Sequence, residues 1–441
     1  MKHIILFGAG KSATVLIDYL KTIATTHQWQ ICVADSSLQT VQLKVGNHAF
    51  VQAVQIDITN DAERQKLVQQ AQVVISMMPP HLHYLIALDC IAFGKHLLTA
   101  SYLDENMKQH ADEIKNKGLL FLCEMGLDPG IDHMSAMQLI HKIQLLGGNI
   151  TSFKSHCGGL VAPESDNNPW HYKISWNPRN IVLAGKSGAV YKENNYVISV
   201  PYEELFDGNN VVALTKNEVY AYYPNRDSLS YIPLYGLEGA STFLRTTLRH
   251  PDFNFGWEHI INLMLTDETP FYKTDGLSVA FFFELHSQRF GLQELYEDMI
   301  MYDSLLKEQF YFLGLNNDQT IINKGFCSAA DVLQFILERK WALKKEDIDM
   351  IVMLHEIEWE NVNGERSQVQ SSLVVKGNDS LHTAMAKTVG LPLGIAAKLI
   401  LENKLTVTGL HIPIITEIYE PVLKELELHG IQFNEVAGFN L

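Results

Sequence analysis

Residues 126–179 concentrate the side-chain types that do chemistry in proteins. Three turn-rich stretches carry them: GLDPGIDHM (Gly126–Met134), SHCGGLVAPESDNNP (Ser155–Pro169) and HYKISWNPR (His171–Arg179). They bring Asp, His, Cys, Lys and Trp close to several glycines and prolines. A structural core has no need of that mixture, whereas a site where backbone and polar side chains converge on a small ligand does. We therefore expect a small-molecule site with proton-handling groups here.

A group of arginines stands out in an otherwise acidic chain. The sequence has eight arginines, and three of them, Arg226, Arg245 and Arg249, fall between residues 226 and 249. The planar guanidinium matches a carboxylate through two parallel hydrogen bonds. Because the net charge is −16, clustering of this scarce residue favours anion recognition. For Arg245, a surface or inter-domain ion pair is an equal alternative.

The N-terminus carries a glycine turn between an apolar run and a helical pattern. Gly8-Ala9-Gly10-Lys11-Ser12-Ala13 has the small residues that a dinucleotide-binding turn needs. The first glycine permits a tight turn, the second lets the backbone approach the pyrophosphate, and Ala13 allows close helix–strand packing. The free N–H groups of the helix N-terminus favour an anion. The predicted cofactor contacts here are Gly8, Gly10, Lys11, Ser12 and Ala13; the alternative is a purely structural turn.

Asp35 ends the second apolar run and bears on which dinucleotide binds. An acid at this place accepts hydrogen bonds from the adenosine ribose and repels a 2′-phosphate. The following Ser36 and Ser37 are not basic. We therefore expect NAD to be preferred over NADP. Asp57, after the third run, is a predicted adenine-side contact, with a helix N-cap as an equal alternative.

The elements that must position these residues alternate between short apolar runs and helical patterns. Six runs predict strands: Ile4–Phe7, Ile31–Ala34, Val51–Ile56, Val73–Met77, His96–Thr99 and Leu119–Leu122. Strands alternating with helices predict an α/β fold with a doubly wound parallel sheet, which binds ligands at the carboxyl ends of its strands. Helices are expected around Asn106–Asn116 and over 131–146.

The remainder of the chain has a different texture. Residues 150–250 are predicted to be β-rich, and residues 257–345 helix-rich, with helices at Glu294–Lys307 and Ala329–Lys340.

Composition restricts the classes of protein. With 47% hydrophobic and 19% charged residues, the chain is typical of a folded globular protein. The net charge of −16 argues against a nucleic-acid partner. Five scattered cysteines are typical of a reducing compartment. We expect no signal peptide, no apolar run of the roughly 18 residues that span a bilayer, no membrane partner and a cytoplasmic location. No H-x-x-H or C-x-x-C spacing occurs, and no metal is expected.

Taken together, these motifs resemble the glutamate-forming saccharopine dehydrogenases, also called saccharopine reductases. The resemblance spans essentially the whole chain and is most specific at residues 126–179, 223–249 and 380–401. It implies a Rossmann-type domain plus a second α+β substrate domain with a helical portion. The implied division is a dinucleotide-binding domain, 1–125, completed by 390–441, and a substrate-binding and dimerisation domain, 126–389. The chain departs from the family pattern beside the expected pocket, where His156, Val161 and the pair Trp170-His171 replace Tyr, Pro and Leu-Gly.

The resemblance also implies roles for individual residues. Asp128, Tyr102 and Cys157 are the implied proton-handling groups, any of which, or a water, could act as the base. The implied substrate contacts are Ser101, Tyr102, Asp128, Arg226, Thr247, Leu248 and Arg249. Further implied cofactor contacts are Ser76, Met77, Leu127, Asp128, Gly130, Ile131, Ser175 and Trp176. The alternatives are a turn or N-cap role for Asp128, a buried apolar role for Cys157, and core packing for Trp176.

The implied activity is oxidation of saccharopine with NAD(P), in lysine metabolism. The secondary amine becomes an imine, which is hydrolysed to L-glutamate and 2-aminoadipate 6-semialdehyde in a reversible reaction. Three carboxylates on saccharopine would account for the clustered arginines. The alternatives are another NAD(P)-dependent amine dehydrogenase, of the carboxyspermidine or lysine 6-dehydrogenase type, and a non-catalytic dinucleotide-binding protein. A homodimer is the expected assembly.

Overall fold

The computed structural model describes residues 2–206 and 210–437. Its strands are, in chain order, β1 (His3–Phe7), β2 (Gln30–Asp35), β3 (Val51–Gln55), β4 (Val73–Ser76), β5 (His96–Thr99), β6 (Leu120–Leu122), β7 (Asn149–Val161), β8 (Ala189–Glu193), β9 (Tyr196–Val200), β10 (Val211–Thr215), β11 (Glu218–Pro224), β12 (Arg226–Asp227), β13 (Thr242–Arg249), β14 (Tyr272–Lys273), β15 (Phe326–Cys327), β16 (Asp349–Glu360), β17 (Arg366–Lys376), β18 (Gly409–His411) and β19 (Asn434–Ala437).

The α-helices, again in chain order, are α1 (Thr14–His27), α2 (Leu38–Val45), α3 (Asp61–Gln70), α4 (Pro80–Phe93), α5 (Glu105–Lys108), α6 (Ala111–Asn116), α7 (Ile131–Leu145), α8 (Pro178–Val182), α9 (Ile232–Tyr235), α10 (Pro251–Asn262), α11 (Val279–Phe290), α12 (Gln293–Tyr302), α13 (Ser304–Leu313), α14 (Ala329–Lys340), α15 (Ala384–Leu401) and α16 (Thr416–Leu428).

The first sheet is a parallel sheet of the Rossmann type. Its strand order is β18-β6-β5-β4-β1-β2-β3, and every pairing within it is parallel. From β3 to β6 this is the 3-2-1-4-5-6 order of dinucleotide-binding folds. Its central strands are almost fully buried, because helices follow each strand and cover the sheet with apolar side chains. The predicted α/β fold with a parallel, doubly wound sheet is confirmed.

Two expectations about helices need correction. In place of the single helix expected around Asn106–Asn116 there are two short helices, α5 and α6, because the helix is interrupted at Gln109-His110. Likewise, the stretch Glu294–Lys307 is divided at Asp303, whose carboxylate accepts the N–H groups of Leu305 and Leu306 and caps α13. A polar pattern records helical periodicity but not a one-residue interruption within it.

Helix α15 corrects the expectation that no apolar run reaches membrane-spanning length. Ala384–Leu401 is long and apolar enough to cross a bilayer, yet 83% of it is buried inside the protein. It packs on α1, where a Cβ on Gly390 would lie 2.9 Å from Cβ of Leu16. The helix is therefore apolar all round because protein surrounds it, as is typical of a core helix.

The second sheet is mixed, with the path β10-β11-β13-β7-β16-β17-β19 and β8, β9 and β12 beside it. A large apolar cluster includes Trp170, Trp257 and Trp341, all fully buried. Helix α14 has the predicted bounds, Ala329–Lys340, and begins with a capping box between Ser328 and Asp331. The predicted β-rich and helix-rich stretches and the α+β character of this region are confirmed.

Contacts divide the chain into two compact units. Of the described residues, the first unit comprises 2–150, 359–367 and 373–437, and the second comprises 151–206, 210–358 and 368–372. Strand β18 joins the parallel sheet beside β6, so part of the C-terminal segment belongs to that sheet. The functional division proposed from the sequence stays a prediction; residues 438–441 of its last segment lie outside the described residues.

Candidate functional site

The glycine loop is fixed where the ends of three neighbouring strands meet. Gly8 has φ +99°, and a Cβ there would lie 2.8 Å from the carbonyl oxygen of Met77. Its N–H donates to the carbonyl of Ala34 at 2.8 Å, while the N–H of Met77 donates to the carbonyl of Phe7 at 2.8 Å. Any side chain at position 8 would collide with backbone, so only glycine fits. The predicted contacts Gly8 and Met77 therefore lie side by side.

The loop then enters a helix with open space in front of it. Gly10 is exposed and precedes a short 3₁₀ helix, Lys11–Ala13, that continues into α1. A Cβ on Gly10 would meet no atom of the described residues within 4 Å. Ala13 is buried and Lys11 is exposed. This bare, N–H-rich surface fits the pyrophosphate of a dinucleotide.

Asp35 supports this loop through its carboxylate. Oδ2 accepts the N–H of Ala9 at 2.8 Å, and Oδ1 accepts the N–H of Ser37 at 3.0 Å. Lys44, on α2, approaches from the other side and donates to the carbonyl of Gly10 at 2.6 Å. Burial lowers the pKa of Lys44, and the charge of Asp35 opposes that shift. No motif in the sequence marks Lys44, because it reaches the glycine loop only when the chain folds back after β2.

Asp57 is exposed beyond the end of β3. Its Oδ1 accepts the N–H of Thr59 at 2.9 Å and the Thr59 hydroxyl at 2.7 Å, and these bonds lower the pKa of Asp57. The N-cap alternative is wrong, because Asn60 caps α3 instead. The adenine-side contact stays a prediction.

A buried hydrogen-bonded chain links the ends of β4 and β5. Ser76 Oγ lies 2.7 Å from His83 Nδ1, and His83 Nε2 lies 2.8 Å from Ser101 Oγ. Burial lowers the pKa of His83 to about 4, with Asp104 opposing, so the imidazole is neutral at pH 7. A neutral imidazole donates at one nitrogen and accepts at the other, so the two hydroxyls have opposite roles. This chain joins a predicted cofactor contact to a predicted substrate contact.

Glu124 fixes the segment that carries Ser101 and Tyr102. Its N–H donates to the carbonyl of Ser101 at 3.0 Å, and its Oε1 accepts the N–H of Leu103 at 3.1 Å. Its Oε2 lies 2.8 Å from Nε2 of the fully buried His133. Tyr102 itself is half-buried. No motif in the sequence marks Glu124, because its partners Ser101, Leu103 and His133 lie in other segments, 9 to 23 positions away.

The Asp128 turn is tightly built. The peptide bond between Asp128 and Pro129 is cis, and the N–H of Gly126 donates to the carbonyl of Pro129 at 3.0 Å. Gly130 is the N-cap residue of α7, so the N-cap alternative for Asp128 is wrong. Asp128 is half-buried, whereas Leu127 and Ile131 are buried. In this unit the structure brings the Asp128 turn to the end of β5, since the N–H of Met125 donates to the carbonyl of Thr99 at 3.0 Å.

In the second unit, one face of the mixed sheet collects three of the predicted residues. Cys157 on β7 pairs with Thr247 on β13, and Thr247 pairs with Tyr223 on β11. Paired residues in a sheet point to the same face, and so does Arg249, two residues beyond Thr247. Cys157 is buried. The structure thus brings Cys157, Thr247 and Arg249 together on one face.

Leu248 lies on the opposite face of β13, because successive side chains alternate. It is fully buried in an apolar cluster with Leu160 and Val352. Its side chain is therefore not available for the predicted substrate contact, and only its backbone remains for one. His156, one of the departures from the family pattern, also lies on that face, where its ring bonds to Thr246 and Glu356.

Arg249 is the most distinctive group in this unit. It is buried, and its guanidinium carbon lies 5.2 Å from the ring centre of Tyr172, 5.4 Å from that of Phe253 and 5.8 Å from that of Tyr223. Its Nη1 donates to the carbonyl of Leu248 at 2.7 Å, and its buried Nε has no hydrogen-bond partner within residues 2–206 and 210–437. A buried charged donor left in this way is costly unless an anion completes it.

The other two arginines differ from Arg249. Arg245 is 3% exposed, with its guanidinium carbon 4.4 Å from the ring centre of Tyr231, so the surface alternative for Arg245 is wrong. Arg226 is exposed and has φ +53°. The three arginines of the sequence cluster therefore have three different environments.

The YKISW run is anchored by a buried ion pair. Lys173 Nζ lies 2.7 Å from Asp347 Oδ2. Burial alone would raise the pKa of Asp347, but the bonds from Lys173 and from the N–H of Lys344 outweigh it and lower the pKa. Ser175 is buried, and Trp176 packs against the large apolar cluster while its Nε1 donates to the Tyr172 hydroxyl at 3.2 Å. Core packing of Trp176 is confirmed; the contacts of Ser175 and Trp176 with a cofactor stay predictions.

Two family models match consecutive parts of the chain. Residues 4–122 match the model described as "Saccharopine dehydrogenase NADP binding domain", and residues 126–431 match "Saccharopine dehydrogenase C-terminal domain". Together they cover nearly all of the described residues.

Individual relatives agree with the family models. The chain is 30% identical to the saccharopine dehydrogenase (NADP(+), L-glutamate-forming) of Saccharomyces cerevisiae, over 98% of this chain and 99% of that protein. It is 32% identical to an alpha-aminoadipic semialdehyde synthase of Arabidopsis thaliana, over 98% of this chain but 45% of that protein. The chain therefore spans less than half the length of the plant relative.

Among solved structures, the chain matches apo saccharopine dehydrogenase (L-Glu forming) from S. cerevisiae. The TM-score is 0.88 at 30% identity, with complete coverage of both chains. The match therefore includes residues of both compact units.

Proposed function

The chain belongs to the saccharopine dehydrogenase family, and on this premise we propose that it is an NAD(P)-dependent oxidoreductase that oxidises saccharopine. The products are L-glutamate and 2-aminoadipate 6-semialdehyde, formed by hydrolysis of an imine. The chain and the yeast relative of that name match over almost their whole lengths, which supports this assignment.

The single observation in the fold that carries the proposal is Arg249. Its guanidinium is buried among three aromatic rings, and its Nε has no partner among the described residues. A carboxylate would satisfy this donor through a charge-assisted hydrogen bond. A substrate that carries a carboxylate, as saccharopine does, is therefore favoured over an amine that carries none.

The residues of the chain supply binding, orientation and proton transfer. The nicotinamide coenzyme, when bound, accepts hydride from the carbon beside the substrate amine. Arg249 and Thr247 hold a substrate carboxylate on the sheet face that also carries Cys157. Asp128, Tyr102 and Cys157 remain the proposed proton-handling groups, since the amine must lose a proton before oxidation and the imine must then take up water.

The first experiment combines turnover with an arginine exchange. We expect the protein to reduce NAD(P) with L-saccharopine and to form glutamate. Arg249→Lys should raise KM for saccharopine about tenfold to a hundredfold, the equivalent of roughly 1.5–3 kcal/mol for a charge-assisted hydrogen bond. The matched control is Arg366→Lys, because the side chain of Arg366 is 90% exposed.

Three outcomes would change the proposal. Turnover that is insensitive to Arg249→Lys would remove Arg249 from the carboxylate site. Binding of the coenzyme without turnover of saccharopine would favour another amine substrate, of the carboxyspermidine or lysine type, or a non-catalytic protein. A loss of coenzyme binding in Arg249→Lys would indicate a folding defect instead.

For the coenzyme, we propose NAD over NADP. The carboxylate of Asp35 at the end of β2 would repel a 2′-phosphate, and Ser36 and Ser37 offer no cation. The yeast relative carries NADP(+) in its name, so the two indications oppose each other. The ratio of kcat/KM values for NAD and NADP decides the matter, and a preference for NADP would refute our proposal.

We also propose a cytoplasmic homodimer with no nucleic-acid or membrane partner. The burial of helix α15 inside the protein supports the last point, because its apolar side chains are covered by other parts of the chain. Sedimentation at several protein concentrations would test the dimer: a sedimenting mass that stays that of one chain at every concentration would exclude it. Fractionation of cells would test the location, and recovery with the membranes would refute it.

A further inference from the structure

Two histidines and two aspartates converge at the surface of the second unit. His171 lies in the loop that follows Asp166, and His250 and Asp252 flank the start of α10. One ligand atom from each of His171, His250 and Asp252 lies within 4.8 Å of the others. His171 and His250 are 79 positions apart in the sequence, so no short spacing motif includes both of them.

The distances between these atoms suit a tetrahedral ion. His171 Nε2 lies 3.2 Å from Asp252 Oδ2, and His250 Nδ1 lies 3.7 Å from the same oxygen. With metal–ligand bonds of about 2.0–2.2 Å, the edge of a zinc tetrahedron is about 3.4 Å. The cluster therefore needs little movement to surround a metal ion.

The hydrogen bonds of the two imidazoles show what an ion would replace. Asp166 Oδ2 lies 2.5 Å from His171 Nδ1, and Asp252 Oδ2 lies 3.2 Å from His171 Nε2. With the proton on Nδ1, the ring of His171 offers the Nε2 lone pair to an ion. The N–H of Asp252 donates to the lone pair of His250 Nδ1 at 3.2 Å, so an ion bound at this nitrogen would displace that hydrogen bond. A carboxylate behind a histidine ligand is the usual outer partner in zinc sites.

Charge points the same way. The ion-pair partners of Asp166 and Asp252 are His171 and His250. In the described part of the chain, no Lys or Arg nitrogen lies within 4 Å of these two carboxylates. The carboxylates of Asp166 and Asp252 bring two negative charges to this cluster. The histidine rings are stacked with centres 3.8 Å apart, a geometry in which two imidazolium ions would repel each other. A single divalent cation balances this charge.

We propose that His171 Nε2, His250 Nδ1 and Asp252 Oδ2 bind a divalent transition-metal ion such as Zn²⁺, with Asp166 as the outer partner of His171. The fourth position is left for water or an external ligand. The ion joins the 166–171 loop to the start of α10, and His250 directly follows Arg249. Its role is structural, and it is independent of the proposed oxidation.

Variants of this chain allow a clean test. His171 has φ +49°, a conformation that suits glycine, so His171→Gly removes the ligand without straining the backbone. His382 is the matched control, because its two ring nitrogens lie 3.2 Å from Asp379 and Asp18 without a second histidine. After removal of metal with EDTA, Zn²⁺ binding is measured by calorimetry, with Mg²⁺ as the oxygen-preferring contrast.

We expect the wild type and His382→Gln to bind one Zn²⁺ per chain and to melt at a higher temperature when it is present. His171→Gly should lose this binding, and Asp166→Asn should weaken it roughly tenfold to a hundredfold. His250→Gln provides a second ligand variant if His171→Gly folds poorly by circular dichroism. No Zn²⁺ binding by the wild type, or equal binding by the wild type and both ligand variants, overturns the proposal.

Discussion

Substituting alanine for each of the two loop glycines separates the folding role of the loop from its binding role. At Gly8, φ is +99° and a Cβ would lie 2.8 Å from the carbonyl oxygen of Met77. The strained backbone costs about 1–3 kcal/mol, and the overlap costs a similar amount. Gly8→Ala should therefore lower the free energy of unfolding by about 2–6 kcal/mol, with or without coenzyme.

For Gly10→Ala we expect the opposite: unchanged or higher stability and weaker coenzyme binding. Its φ of −65° and ψ of −173° suit alanine, and a Cβ would meet no described atom within 4 Å. The unfolding free energy of the free protein should stay the same or rise by about 0.4–1 kcal/mol. A methyl group where the pyrophosphate approaches should cost about 1–3 kcal/mol of binding, which weakens coenzyme binding about fivefold to 150-fold.

The assays are urea unfolding of the free protein and fluorescence titration with NADH and NADPH. We expect a lower stability in Gly8→Ala, and a lower affinity for the coenzyme in Gly10→Ala without loss of stability. Unchanged affinity for both coenzymes in Gly10→Ala would refute the placement of the pyrophosphate on this loop. Wild-type stability of Gly8→Ala would refute the steric argument.

Three further predictions concern buried or charged groups. The pKa of His83 falls from 6.5 in the unfolded chain to about 4 in the native protein; its contribution to stability is thus complete above pH 6.5 and is lost towards pH 4. Between pH 6.5 and pH 4, the unfolding free energy of the wild type should fall by roughly 3 kcal/mol relative to that of His83→Gln, as measured by denaturant unfolding. Parallel plots of unfolding free energy against pH for the two proteins would contradict this. Lys173→Met leaves the buried Asp347 without its ion-pair partner, so the unfolding free energy in urea should fall by about 3–5 kcal/mol, and the Lys173→Met, Asp347→Leu double variant should recover most of it. Asp35→Ser combined with Ser36→Arg should shift the ratio of kcat/KM values towards NADP, and an unchanged ratio would show that the end of β2 does not select the coenzyme.

The sequence predicts the parallel sheet well because its signals are local. Runs such as Ile4–Phe7 are apolar throughout, and a glycine turn follows directly, so neither inference needs a partner from elsewhere in the chain. The order of the strands is then restricted by the handedness of strand–helix–strand connections. Helix interruptions such as that at Asp303 depend on a single cap and were missed.

The site was less predictable because its remaining parts depend on pairing between distant segments. His83 acts between Ser76 and Ser101, which meet only after β4 and β5 have paired. Leu248 was predicted as a substrate contact together with Arg249, yet the alternation of side chains along β13 turns it to the opposite face of the sheet. The burial of Arg249 among aromatic rings likewise follows from tertiary packing that residue spacing does not record.

Helix α15 has a consequence for biosynthesis. Its apolar surface is covered by α1, and the same contact region is reinforced by the Tyr19 hydroxyl, which donates to Glu425 across 406 positions of the chain. While a ribosome is still making the second unit, α1 has no such cover, and the apolar residues Leu16 and Tyr19 are open to chaperones or to other nascent chains. Because α15 follows the second unit along the chain, α1 receives this cover only after the second unit has been synthesised.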